Sequence, residues 1–509
     1  MITAPKDAYE DFSKIMRVFF FILFFVFLFL CFYIPLEIED GWWHLSTARW
    51  MVENQDVPHE DVFSYSETKA PWIYTQWLGG LIFYFVHRIG DNDGLKIFRA
   101  LFFTLTIFLF VTRAYKKIPL AILILLALIL VHGLFPRCLI RPLIFNFIFI
   151  PLFLVNIFGY LKTSNPRRLF VLLLLGILWV NIHLGSFVYG LFPILIVLLA
   201  RTVEYFYARP SKKIQNNSPF LAKQVKGLSL AFLAYCFIFL LNPYGLEGAI
   251  HPLKVFLLPD FIKFYDLKKV IEEMQSPLLV LRTMSGIPFI VLFLLTVGSL
   301  IFHKRDRLVL GLLFVFSLFI FSQGIQGVAF YVIVGVYIVL ECLAQNAGLK
   351  SWQSSPTSRR FEFSLTLVMM ITLSVRIIFM IQQDGAFKNG EYVRPNPLVA
   401  LEFLKKEKME GPVYNDEKFG GYIIWSSYPE LKPFWDGRQV QPERFIKYYI
   451  DTMEDPAANW PRVENEYRFK IVLLDKTAKI FSRLIEYLEN HSSWELIFED
   501  DSCVVFKKT

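Results

Sequence analysis

Apolar runs of about 16–20 residues recur along most of this chain, separated by short loops rich in Lys and Arg. A run of that length without charges matches the thickness of a bilayer core, and soluble folds have little room for ten of them. The chain must therefore be a polytopic α-helical membrane protein. Composition agrees: 55% of its 509 residues are hydrophobic, 17% are aromatic and only 19% are charged, against about 25% charged in soluble domains. The candidate spans are 17–36, 95–113, 118–134, 143–161, 168–183, 186–204, 227–242, 285–302, 308–322, 327–343 and 361–381, about eleven in all. The segment 76–90 is apolar but shorter, and His87 and Arg88 end it. It reads as an interfacial or re-entrant piece.

Charge placement sets the orientation. The formal net charge is +8, from 52 basic and 44 acidic residues, but the basic residues sit in short inter-span loops. That pattern follows the positive-inside rule and argues against nucleic-acid binding. With Lys6, Lys14 and Arg17 in the cytoplasm, alternate loops carry Arg113/Lys116/Lys117, Lys162/Arg167/Arg168, Arg201/Arg209/Lys212/Lys213, Lys304/Arg305/Arg307 and Lys350/Arg359/Arg360. All of them fall on the cytoplasmic side. Counting 76–90 as a full span would move several outside. The first apolar run has no small-residue cleavage site after it, so it reads as an uncleaved first span. Cys31, Cys138, Cys236, Cys342 and Cys503 are scattered, with neither a disulfide framework nor zinc spacing.

This orientation puts the remaining polar features on one face, away from the cytoplasm. They are the 37–75 loop, Arg137 and Arg141, Asn181 and His183, the 242–284 loop, Gln323 and Gln326, and everything after about 382. Residues 1–384 read as a transmembrane domain and 385–509 as a small soluble α/β domain. In the latter, Pro412-Val413-Tyr414, Lys432-Pro433-Phe434-Trp435 and Lys470 to Leu474 read as strands, and Thr477 to Leu488 as a helix. Trp494 to Phe498 and Cys503 to Phe506 read as a hairpin around Asp500-Asp501-Ser502. Gly420-Gly421 and Asp436-Gly437-Arg438 read as tight turns.

The stretch Ile38-Glu39-Asp40-Gly41-Trp42-Trp43-His44-Leu45 follows directly on the first span. A carboxylate is costly in hydrocarbon, so Asp40 belongs at the water boundary, and Trp42 and Trp43 are of the type that settles at headgroup depth. Two readings of Asp40 stand: the N-cap acid of a helix starting near Gly41, or a general base that orients an acceptor. Asp40 and His44 are four apart and share a helix face. They could contribute to a divalent-metal site, but two ligands do not define one, and no cofactor is assigned. Arg137 and Arg141, also four apart, suit phosphate recognition, with snorkelling or pairing to an acid as the alternative. His183, in Trp179-Val180-Asn181-Ile182-His183 at the end of a span, is either a bundle residue or a donor to a phosphate or hydroxyl. Asn242-Pro243-Tyr244-Gly245 ends a helix. After it, Lys254, Lys263, Lys268 and Lys269 interleave with Phe256, Phe261, Phe264 and Tyr265 as in an amphipathic interfacial helix. Glu272 and Glu273 close that helix and could add a second acid.

These residues resemble the bacterial members of the GT-C glycosyltransferase superfamily, similar to protein mannosyltransferases and lipid A aminoarabinose transferases. The likeness runs from the acid-x-Trp-Trp-His-Leu motif through Val57-Pro58, Asp61-Val62-Phe63-Ser64-Tyr65 and Trp72 to Trp77. It continues in Arg141-Pro142, Trp179-x-Asn181-x-His183 and Asn242-Pro243-Tyr244-Gly245. In the tail it includes Gly420-Gly421-Tyr422, Tyr428-Pro429-Glu430 and Asp436-Gly437-Arg438. Related sequences often carry Asp-x-Asp before the Trp pair; here Ile38 takes the first of those positions. The resemblance implies a catalytic acid in the first extracytoplasmic loop, at Asp40, and a polyprenyl-phosphate-linked sugar donor. Nucleotide sugars are cytoplasmic, so a transferase acting outside needs a donor already carried across.

The expectation is a glycosyltransferase in a bacterial inner membrane, with its N-terminus cytoplasmic and its C-terminal domain periplasmic. Asp40, helped by Glu39, would act on a glycan, lipid or protein acceptor. Trp42, Trp43, His44, Arg137, Arg141, Asn181, His183 and Glu273 would bind substrate. Inversion is expected, since a single displacement needs one base and no covalent carboxylate. The rivals are a non-catalytic transferase-like scaffold and a transporter or flippase of lipid-linked sugars.

Overall fold

In the computed structural model the apolar runs are helices. It describes residues 6–36, 40–66, 69–208, 218–257, 276–303, 306–325, 327–345, 397–438, 440, 444 and 446–509, with scattered positions between 361 and 378. In order these helices are α1 (Lys6–Phe32), α2 (Asp40–Asn54), α3 (Trp77–Ala114), α4 (Leu120–Leu134), α5 (Asn146–Thr163), α6 (Pro166–Ile182), α7 (Val188–Ala208), α8 (Ser218–Ile238), α9 (Gly245–Leu257), α10 (Ile287–Phe302), α11 (Arg307–Ser322) and α12 (Gly327–Leu343). Among the described residues, six apolar helical segments are long enough to cross a membrane: Trp77–Ala114, Leu120–Arg137, Pro142–Thr163, Leu184–Tyr207, Pro219–Ile238 and Met284–Phe302. Val18–Phe32, Arg307–Ser322 and Gly327–Leu343 are shorter apolar helices. The expected span 361–381 lies largely outside the described residues. Outward-facing Phe170, Leu174, Phe237, Phe302 and Phe319 are exposed, as side chains meeting lipid would be. The chain is an integral membrane protein.

The segment 76–90 is helical and continuous with the next run: α3 breaks at Gly90–Asp91, where the backbone leaves helical geometry, and then resumes. At the centre of the bundle is α12, apolar on all sides and buried along its length, as a helix without a polar face must be. Its single acid, Glu341, pairs with Lys162 at the end of α5, and Arg201 of α7 similarly pairs with Asp306 and Glu204.

The C-terminal region is an α/β layer. Its sheet comprises β1 (Val413–Asn415), β2 (Ile471–Asp475), β3 (Trp494–Glu499) and β4 (Cys503–Lys508) in the order β1-β2-β4-β3. The β1/β2 pair is parallel and the other two pairs are antiparallel. Every residue of β2 is buried, which explains the unbroken apolar run of a strand covered on both faces. The helices here are α13 (Leu398–Lys406), α14 (Glu417–Ser427), α15 (Pro456–Tyr467) and α16 (Ser482–Glu489). Two expectations are corrected. The segment 432–435 forms only one bridge, Pro433 to Val413, and Gly420-Gly421 is not a turn but the interior of α14. A Cβ on Gly420 would lie 2.2 Å from the Trp435 carbonyl oxygen and 2.5 Å from Asp436 Cβ. Gly420 therefore lets α14 press on the 435–436 backbone, a non-local requirement that looks like a turn signal in sequence.

Candidate active site

The site begins where α1 ends. Arg99 of α3, 1% exposed, donates to the carbonyls of Ile34, Pro35 (3.3 Å) and Cys138 (3.2 Å). One buried guanidinium thus ties the loop leading to Asp40 to the loop carrying Arg141. Asp40 opens α2, where helix N-terminal N–H groups favour an anion. Its Oδ2 lies 2.9 Å from Arg141 Nη2, and both side chains keep some exposure, 26% and 22%. The pair is therefore accessible from outside.

His44 lies one turn further along α2. The Tyr74 hydroxyl is 2.7 Å from its Nδ1. Burial, then the nearby Tyr244, pushes the Tyr74 phenol well above its usual pKa, so it stays protonated and donates to Nδ1. Burial, then the positive charge of Arg141 and the neighbouring His183, holds His44 well below 6.5. His44 is consequently neutral near pH 7, with its proton on Nε2. Tyr74 is held in turn: its N–H donates to the Tyr244 hydroxyl (3.0 Å), which donates to the Pro58 carbonyl (2.9 Å).

His183 follows the last residue of α6. Its Nδ1 accepts the Ser186 N–H (3.1 Å) and contacts Ser186 Oγ (2.9 Å). Asn146 Nδ2 donates to that hydroxyl oxygen (2.8 Å), and Trp179 Nε1 donates to Asn146 Oδ1 (2.6 Å). This relay fixes the tautomer, leaving His183 Nε2–H as a donor. Asp40, Arg141, His44 and His183 therefore converge from three segments.

Of the other expected residues, Arg137, Asn181, Trp42 and Trp43 make contacts within the fold. Pro136 and Pro142 break the helix after Leu134, so Arg137 and Arg141 do not share a helix face. Arg137 is buried, and its charge acts on Tyr189 of α7. Asn181 is an anchor: it accepts from Trp77 Nε1 (3.0 Å) and donates to the Leu241 carbonyl (2.9 Å). Trp42 and Trp43 are not interfacial side chains. Both are buried, and Trp42 packs on Tyr422 (5.1 Å) and Trp425 (5.8 Å) of α14. Arg49 lies 4.7 Å over the Trp425 ring and donates to its carbonyl (3.1 Å). Glu39, Glu273 and most of the amphipathic 254–269 stretch lie outside the described residues. Among the described residues no three of His, Cys, Asp and Glu come together as a metal site requires.

The C-terminal region reaches the site directly. Its Asp436-Gly437-Arg438 turn lies over α2, where a Cβ on Gly437 would be 2.1 Å from Asp40 Oδ1 and 3.2 Å from Trp43 Nε1. Arg438, 1% exposed, bonds Asp61 of the first loop (2.5 Å) and Asp436 (2.6 and 2.7 Å). Its guanidinium also lies between the rings of Phe63 (5.0 Å) and Trp72 (4.9 Å). Burial lowers the Arg438 pKa, but the two carboxylates outweigh it and raise it above the usual arginine value. Sequence reading assigned no role to Arg99, Asn146 or Tyr74. Only Arg99 left a signal, as a charge inside an apolar run.

No family model matches the chain, and no curated protein matches it. Solved structures do. The chain is similar to the archaeal oligosaccharyltransferase AglB from Archaeoglobus fulgidus in complex with an inhibitory peptide and a dolichol-phosphate, with TM-score 0.54 and 12% identity over 90% of this chain and 69% of that one. The same enzyme tethered to an acceptor peptide containing the NVT sequon gives TM-score 0.52 and 13% identity over the same shares. ArnT from Cupriavidus metallidurans bound to undecaprenyl phosphate gives TM-score 0.45 and 11% identity over 97% of this chain and 98% of that one. The likeness to AglB shows that the chain shares its fold.

Proposed function

We propose that the chain is a glycosyltransferase that moves a sugar from a polyprenyl-phosphate donor to an acceptor hydroxyl on the non-cytoplasmic face of the membrane, with inversion. The observation that carries this reading is the half-buried but accessible Asp40–Arg141 pair at the start of α2, with neutral His44 and His183 nearby. A carboxylate and a guanidinium side by side supply what a glycosyl displacement needs at its two ends. The carboxylate accepts the acceptor's O–H proton as that oxygen bonds to the anomeric carbon. The guanidinium takes up negative charge on the phosphate as the sugar–oxygen bond breaks. His183 Nε2–H is a second donor for that phosphate. The fold is that of an enzyme solved with a dolichol-phosphate, which supports a lipid-phosphate donor. The positive-inside pattern supports a cytoplasmic N-terminus and an external site, and a bacterial inner membrane suits that arrangement. We extend the unit to residues 1–384 for the membrane domain and 385–509 for the external one.

The test uses purified protein in liposomes with a panel of polyprenyl-phosphate sugars and a membrane extract as acceptor, reading release of free polyprenyl phosphate. Asp40→Asn should slow release about 100-fold or more. Equal release by both proteins would remove Asp40 from the chemistry. No release from any donor would overturn the transferase reading.

A further inference from the structure

We infer that the Asp436-Gly437-Arg438 turn is a positioning element, with Gly437 as the residue that sets the rotamer of the Asp40 carboxylate. This rests on Asp40 being the reacting carboxylate, as proposed above. The turn is held from the C-terminal sheet outward. Asn415, at the end of β1, accepts the Phe434 N–H (2.7 Å) and donates to the Trp435 carbonyl (2.8 Å). α14 presses on the same backbone at Gly420. Asp436 accepts the Arg438 N–H (2.9 Å), closing the turn, and Arg438 pins it to Asp61. The backbone on either side of Gly437 is thereby held by groups that belong to three different elements.

That rigid backbone meets a short side chain. With a Cβ position only 2.1 Å from Asp40 Oδ1, Gly437 forms a wall against one carboxylate oxygen while Arg141 holds the other at 2.9 Å. A carboxylate confined on both sides has one orientation to offer an acceptor. Alanine at 437 would be accommodated most cheaply by turning Asp40 away, because the Asp40 side chain keeps 26% exposure while the backbone on either side of Gly437 is held. A misplacement near 1 Å costs about 100-fold in rate.

The experiment is a double-variant cycle with two readouts on the full-length protein in detergent. By thermal unfolding, Gly437→Ala should lower the melting temperature in the wild-type background, and much less when Asp40→Ala has removed the oxygen it meets. By turnover, Gly437→Ala should lower kcat about 100-fold with KM for the lipid donor changed less than threefold. Should Gly437→Ala alone fail to fold, recovery of folding by Asp40→Ala gives the same coupling. Additive melting effects, or full kcat in Gly437→Ala, would overturn the inference. Coupled melting with full turnover by Asp40→Asn would instead remove Asp40 as the reacting group, and with it the positioning role, while leaving the contact.

Discussion

Arg438→Met isolates the ion triad that fastens the first loop to the C-terminal region. Methionine keeps an unbranched stem between Phe63 and Trp72 but leaves Asp61 and Asp436, whose side chains are 0% and 3% exposed, as buried carboxylates without their cation. Breaking a buried pair by removing one partner costs about 3–5 kcal/mol. At about 1.4 kcal/mol per decade, that favours local opening by roughly 10²- to 10⁴-fold. The opening has a direct readout in amide hydrogen exchange, because the Phe63 N–H is held by Asp61 (2.9 Å) and the Tyr65 N–H by the Pro433 carbonyl (3.3 Å). Peptides covering 57–66 and 431–438 should exchange faster by that factor, while α12 keeps its protection. Adding Asp61→Asn should restore part of the loss, since it removes one of the stranded charges. Acceleration below tenfold would refute the claim that Arg438 holds the loop.

Arg99→Met should leave the membrane bundle assembled yet cost about 2–4 kcal/mol from unpaired buried carbonyls. It should also lower turnover, because the loops bearing Asp40 and Arg141 lose their common tie; unchanged turnover would contradict that role. His44 makes stability pH-dependent with a definite sign. Its native pKa lies below the unfolded 6.5, so no cost arises above that pH. As pH falls below 6.5 the unfolded state takes up a proton that the native state resists, and stability drops by up to about 1.4 kcal/mol per pH unit. Denaturation midpoints of wild type and His44→Gln between pH 7.5 and 5 should diverge in that direction; parallel curves would exclude it.

The membrane class and the α/β tail were legible because each is written in contiguous residues: apolar runs, and a buried-strand run at 471–475. What was not legible depends on pairs far apart in the chain. Gly420-Gly421 has turn composition, and only the approach of residues 435–436 explains it as a helix interior. Trp42 and Trp43 have the composition of interface anchors but are enclosed by α14 and by the first loop. The two arginines at 137 and 141 have helical spacing, and two prolines cancel it. Asn146 looks like any polar residue beside a span; its place between Trp179 and Ser186 is visible only when three segments are assembled.

The Arg438–Asp61 bond joins residues 377 positions apart, and this has a bearing on how the molecule is made. A ribosome delivers Asp40 and the first loop long before it delivers the turn that rests on them. Through most of synthesis Asp61 is a carboxylate awaiting its cation, and Asp40 lacks the turn that lies over it. That turn is itself held by Asn415 of β1 and by Gly420 of α14, so the contact can form only once these late residues have been made. A chain cut short before Arg438 would carry the first loop with Asp61 unmatched by the cation that the whole chain supplies.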